Sequence, residues 1–174
     1  MTDSVSPPIP RTLVAGAATT TAFAVGCLLT QVVTVPMWRR MDPEVFLRQF
    51  ATTGPATGAV LAPMDIASVT LLGVATASAA RRDAPGRVPL AAATGAMAGT
   101  VLLFPAFFAR ANAAFLRPGF PTDAVAAGLA AWNRWNWVRT GLALAATVLT
   151  GAAVAASDRP RRSARPRKRR ILGR

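Results

Sequence analysis

Four stretches of this 174-residue chain are long, apolar and almost free of charge, and they leave few folds open. They run from about Thr12 to Trp38, Pro55 to Ala80, Val88 to Phe108 and Trp137 to Ala156, separated by basic or Pro/Gly-rich sequence. A helix rises 1.5 Å per residue, so roughly 20 apolar residues cross a hydrocarbon layer about 30 Å thick. Within such a layer every backbone N–H and C=O must be paired inside its own segment, which favours helices for runs of this length. The pattern predicts an all-α membrane protein, a bundle of four transmembrane helices over residues 12–156. The first run reads as a span rather than a cleaved signal segment. Its apolar part is too long, and Pro36, Trp38, Arg39 and Arg40 close it as an interfacial anchor would.

The remaining segments fall around this bundle. Residues 1–11 are polar and proline-containing, as a disordered arm would be. Met41–Thr53 places Val45, Phe46 and Phe50 at helical spacing beside Arg48, which predicts a short interfacial helix after the first span. Residues 157–174 form a polybasic tail, with nine of the twenty Lys and Arg residues after Ser157 and nothing aromatic among them. The formal charge of +13 therefore describes the tail, and no nucleic-acid partner is expected. The tail suits anionic lipid at a membrane surface, or serves simply as an orientation signal.

Four spans put the N-terminus, the loop between spans two and three and the tail on one side. That side holds Arg11, Arg81, Arg82, Arg87 and the nine tail residues, 13 in all. The other holds Arg39, Arg40, Arg48, Arg110, Arg117, Arg134 and Arg139, 7 in all. Basic residues accumulate on the cytoplasmic face, so both termini are expected there, in a multi-pass protein of the plasma membrane. The spans should pack through small residues. Gly95 and Gly99 with Ala91, Ala92 and Ala96 make one such surface; Gly141, Ala145, Ala146, Gly151 and Ala152 make another. Their use within the chain is the first reading, and a homo-oligomer seam the second.

The chain has no histidine or tyrosine and a single cysteine, Cys27. Haem on a histidine, His-bound zinc and a Ser-His-Asp triad are thereby excluded within the chain, and no metal or cofactor is expected. What chemistry remains gathers at one level. Counting back from the basic boundaries, Asp65, Arg139 and Gln31 reach similar heights near the outer end of their spans. Asn112, Asn133 and Asn136 flank that level, among Trp132, Trp135 and Trp137. A charge inside a span costs about 2.5–3.5 kcal/mol and normally faces the interior with a partner. Arg139 is the natural partner of Asp65, with Arg110 second. Pro63, two residues earlier, frees a backbone carbonyl, and such breaks are tolerated where they line a cavity. Two readings stand side by side. In one, the cluster lines a pocket for a flat ligand, with Asp65 and Arg139 as catalytic or polarising groups and Gln31, Asn112, Trp132 and Asn136 binding it. In the other, the ion pair is a structural staple and the tryptophans an interfacial belt.

The stretch AAWNRWNWVRTGLALAA resembles the Trp-x-x-Leu-Asn-x-Val-Arg pattern opening the last helix of the anthrone oxygenase-like family, small four-helix membrane proteins whose bacterial members mostly form a domain of unknown function. Trp132, Asn136, Val138 and Arg139 match, with Trp135 in place of leucine. ARANAAFL is similar to that family's Pro-x-Asn-x-x-Leu, matching at Asn112 but carrying Arg110 where proline is usual. GCLLTQVVTVPMW resembles its Gly-rich first helix. The resemblance implies the four-helix fold and oxidation of an aromatic polyketide anthrone to a quinone by dioxygen without a bound cofactor, with Asp65 as the buried base. A non-catalytic scaffold or accessory subunit is the alternative.

The orientation is directly testable. Cysteines introduced at Asp83 and at Phe120, in a Cys27→Ser background, should differ in intact cells: an impermeant maleimide should label the second and not the first.

Overall fold

The computed structural model describes residues 9–158, and every regular element among them is helical. Four long helices follow one another: α1 Arg11–Trp38, α2 Pro43–Arg81, α3 Arg87–Leu116 and α4 Thr122–Ser157. Each is long and apolar enough to cross a membrane. The expected bundle is present, but three helices are longer than the apolar runs. Residues 41–53, expected as a separate interfacial helix, instead supply the first turns of α2. Asp42 caps it by accepting from the backbone N–H of Glu44 at 2.9 Å and of Val45 at 3.4 Å, and Pro43 sits at N1, where its missing donor costs nothing. Likewise α4 begins near Val125, so the apolar piece before Trp137 continues the span rather than preceding it. The polybasic tail from residue 159 and the N-terminal arm through residue 8 lie outside the described residues.

Prolines do not break these helices. Pro55 and Pro63 lie inside α2, leaving the carbonyls of Ala51 and Ala59 without their usual donors. Pro36 comes just after, and Pro105 sits within, a π-helical turn, at Thr30–Thr34 of α1 and Phe104–Phe108 of α3. There the N–H groups of Val35 and Ala109 reach five residues back, to Thr30 and Phe104. The widened turn gives the proline ring room that an α turn would deny it.

Burial repeats along each helix at three- and four-residue steps, as an antiparallel bundle requires. On α3 the inner line is Leu90, Ala93, Met97 and Thr100; on α4 it is Ala143, Ala146, Thr150 and Ala153. Of the small-residue surfaces expected from sequence, Ala146 is buried and Ala96 packs against the core, but the glycines contribute little. A Cβ on Gly95, Gly141 or Gly151 would meet nothing within 4 Å, and one on Gly99 would meet only the side chain of Leu142. Other glycines make the close approaches: a Cβ on Gly16 would stand 3.0 Å from the Leu72 side chain and one on Gly26 2.7 Å from that of Leu61. One cross-link is polar: Thr76 donates to Thr94 at 2.8 Å, because the Thr94 proton goes to the Leu90 carbonyl at 2.9 Å.

Two apolar cores form. The first, at the end carrying the termini, includes Leu13, Phe23, Leu72, Leu90 and Met97. The second, at the distal end, is aromatic: Trp38, Phe46, Phe50, Phe108, Phe115 and Trp132 meet mostly edge to face with ring centroids 5.2–5.7 Å apart.

The tight α2–α3 turn gives a stability test. A Cβ on Gly86 would stand 2.7 Å from the Ala153 carbonyl oxygen and 3.2 Å from its Cα. Gly86→Val should therefore destabilise the bundle by about 1–3 kcal/mol, while Gly95→Val leaves it within about 0.5 kcal/mol, both read from denaturant midpoints in detergent.

Candidate functional site

Between the two cores lies a polar layer. Asp65 on α2 is 6% exposed and reaches two other helices. One oxygen lies 3.8 Å from the Arg139 guanidinium on α4, and the other is 2.6 Å from the Thr100 hydroxyl on α3. The same hydroxyl is 2.7 Å from the Met97 carbonyl, so its single proton is shared between two acceptors. Arg110, the second candidate partner, is solvent-facing on α3.

Arg139 is poorly partnered for a guanidinium that is only 14% exposed. Its five N–H donors make no hydrogen bond to the described residues; the contact with Asp65 is charge attraction at a distance beyond hydrogen bonding. Aromatic faces hold it instead. Its central carbon lies 4.8 Å from the ring centre of Phe23 and 5.6 Å from that of Phe108.

The exposed side of this layer is a cavity of about 300 Å³. Its walls come from all four helices: Thr30 and Trp38 of α1, Phe50, Gly54, Gly58 and Ala62 of α2, Phe104, Phe108 and Asn112 of α3, Trp132, Asn136 and Arg139 of α4. Local chain chemistry explains why space remains here. On α2 no residue between Phe50 and Leu61 is buried, and Pro55, Gly58 and Ala62 are too short to reach the bundle. Across the gap, the π turn in α3 places Phe104 at the mouth, 52% exposed, and Phe108 inside, 2% exposed. The volume lies at the small end of the range for ligand pockets, and the lining has their usual character, mostly apolar with a few convergent polar groups.

The sequence-derived site residues divide cleanly. Asn112, Trp132, Asn136 and Arg139 line the cavity. Asp65 does not; it stands behind Arg139. Gln31 is buried but faces away, toward a groove between α1 and α4 with Asn133 and Trp137. It still touches the site, since its carboxamide meets that of Asn136 at 2.9 Å. On the cavity side Trp132 donates its indole N–H to the Asn112 carboxamide oxygen at 3.0 Å. Trp38, Phe50 and Phe108 are walls that sequence reasoning missed; aromatic enrichment near Pro36 and Pro105 was the available signal. On α1, Thr19, Thr21 and Thr30 bond their own preceding carbonyls, Thr30 also lines the cavity, and Thr20 is buried with no partner for its hydroxyl among the described residues.

No known protein family, characterised protein or solved structure matches the chain.

The ion pair should behave as a unit. Asp65→Leu alone leaves a buried cation and should cost about 3–5 kcal/mol, whereas Asp65→Leu with Arg139→Leu recovers most of that loss in the same unfolding assay.

Proposed function

We propose that this protein binds a flat, lipophilic ring compound of the polyketide or quinone type in the distal cavity, with Arg139 as the group that meets it. The observation that carries this reading is a buried guanidinium with unspent donors, facing a cavity walled by Trp38, Phe50, Phe108 and Trp132. Aromatic walls favour a flat ligand, by stacking and edge contacts. A guanidinium in a low-dielectric setting favours an oxygen carrying negative charge. Asp65 is then a positioning residue: it neutralises and orients Arg139 without reaching the ligand.

The setting we infer is the plasma membrane, with both termini cytoplasmic and the tail against anionic lipid. Exposed arginines support it. Arg11, Arg81, Arg82 and Arg87 gather near one end of the bundle, and Arg110 and Arg134 mark a level nearer the other. Between Arg87 and Arg110 on α3 the rise is about 34 Å, close to a hydrocarbon thickness plus its edges. The cavity straddles the distal edge of that band, where a lipophilic compound would partition.

The resemblance to anthrone oxygenases adds a reaction. An anthrone ring CH₂ would lose both hydrogens and take one atom of dioxygen as a carbonyl; the second oxygen atom leaves as water with those hydrogens. The electron-rich enolate is the form that reduces dioxygen; its proton would leave to solvent at the open mouth of the cavity, since Asp65 stands behind Arg139 and is not the base. Arg139, Asn112 and Asn136 supply donors for its oxyanion, the electrostatic service that lowers such barriers most.

Binding is tested with 1,4-naphthoquinone on the full chain in nanodiscs, read by quenching of tryptophan fluorescence. Ala62→Phe fills the cavity from an exposed α2 position and should abolish saturable quenching. The neutral pair Asp65→Asn with Arg139→Gln should weaken binding about tenfold or more while the thermal transition is retained. Unchanged affinity in both folded variants would leave the cavity without a role and favour a scaffold. Oxygen uptake with anthrone, absent in the double variant, tests the reaction separately.

A further inference from the structure

The carboxamides at the cavity carry directional information. An indole N–H can only donate, so any carboxamide it touches must turn its oxygen toward it. Trp132 fixes Asn112 in this way: the oxygen is occupied at 3.0 Å, and the NH₂ is the end left for the cavity. A longer chain does the same for Asn136. The Trp137 indole lies 2.9 Å from the Gln31 carboxamide, which therefore turns its oxygen there. The Gln31 NH₂ then faces the Asn133 side-chain oxygen at 3.1 Å and the Asn136 carboxamide at 2.9 Å. With the Gln31 oxygen toward Asn136, that asparagine is the donor at 2.9 Å; with it turned toward Trp137, Asn136 must turn over as well to offer its oxygen to Gln31, and its NH₂ is then the end left for the cavity. Asn136 is 1% exposed and lines the cavity.

Taking the cavity as the ligand site proposed above, we propose that two indole-anchored carboxamides make it a donor-rich receptacle, selective for ligands presenting a carbonyl or oxyanion oxygen. Arg139 adds a charged donor set, and Trp38, 3% exposed with its indole N–H unpartnered, adds another. The hydroxyl of Thr30, also at the wall, has given its proton to the Gly26 carbonyl at 2.9 Å, and Thr57 can serve either sense. Trp137 and Gln31 are positioning residues. They never touch the ligand, yet they decide which end of Asn136 the ligand meets.

The test uses 9-fluorenone and fluorene, equal in shape and differing by one carbonyl, with the full chain in nanodiscs and empty nanodiscs as the partition control. Fluorenone should bind about tenfold tighter than fluorene, with its carbonyl stretch lowered relative to lipid. Trp137→Phe, at a half-exposed position outside the cavity, and Gln31→Met should each reduce that preference several-fold and raise the stretch toward its lipid value, while fluorene affinity stays constant. If fluorenone and fluorene bind equally, donor selectivity is overturned and the pocket stands. A preference that survives intact in Trp137→Phe and Gln31→Met overturns the relay. If neither compound binds above the control, the pocket itself is overturned.

Discussion

The attraction between Asp65 and Arg139 organises the middle of this bundle. Two charges among apolar helices cannot be left apart, because each alone would be held in a poorly solvating interior. Their meeting fixes α2 against α4 in both rotation and height, and Thr100 brings α3 to the same point. The apolar cores on either side are non-directional by comparison and would tolerate small slips. Phe23 and Phe108 close the layer by lending ring faces to the guanidinium, so that α1 joins as well.

Space beside that layer comes from the prolines. A helix that continues through Pro55 and Pro63 forgoes backbone hydrogen bonds, and the freed carbonyls favour an open or polar flank over tight packing. The stretch that contains Pro55 also carries Gly54 and Gly58, which cannot fill the gap. In α1 and α3 the answer to proline is different, a widened turn. Such a turn adds a residue and widens the helix, and both Gln31 and Phe108 lie within one.

The number of helices, their order and the Asp65–Arg139 pairing were legible in the sequence because charge is so scarce in it. With one acid and one base inside apolar runs, there is little else for either to meet. Helix length was not legible, since an apolar run reports where a helix is greasy and not where it starts. The stretch 125–135 reads from sequence as an apolar, helix-like piece of its own after the break at Pro118–Pro121, but its buried Val125, Leu129 and Trp132 belong to the same helix as the span. Nor could counting along four helices say which side of the bundle each polar group faces. Asn112 lines the cavity, whereas Gln31 faces the groove with Asn133 and Trp137. Glycine was misleading for a related reason: Gly95 and Gly141 look like packing residues only until the helix phase is known.

Cys27 sits in the first core, 1% exposed, and it is the sole thiol of the chain. A sulfhydryl sealed among Phe23 and its neighbours is invisible to water-borne alkylating reagents while the fold holds. The native protein is therefore chemically silent toward such probes. A reporter attached at any engineered surface position would be read without background, and sudden reactivity of the native thiol would mark the moment the helices part.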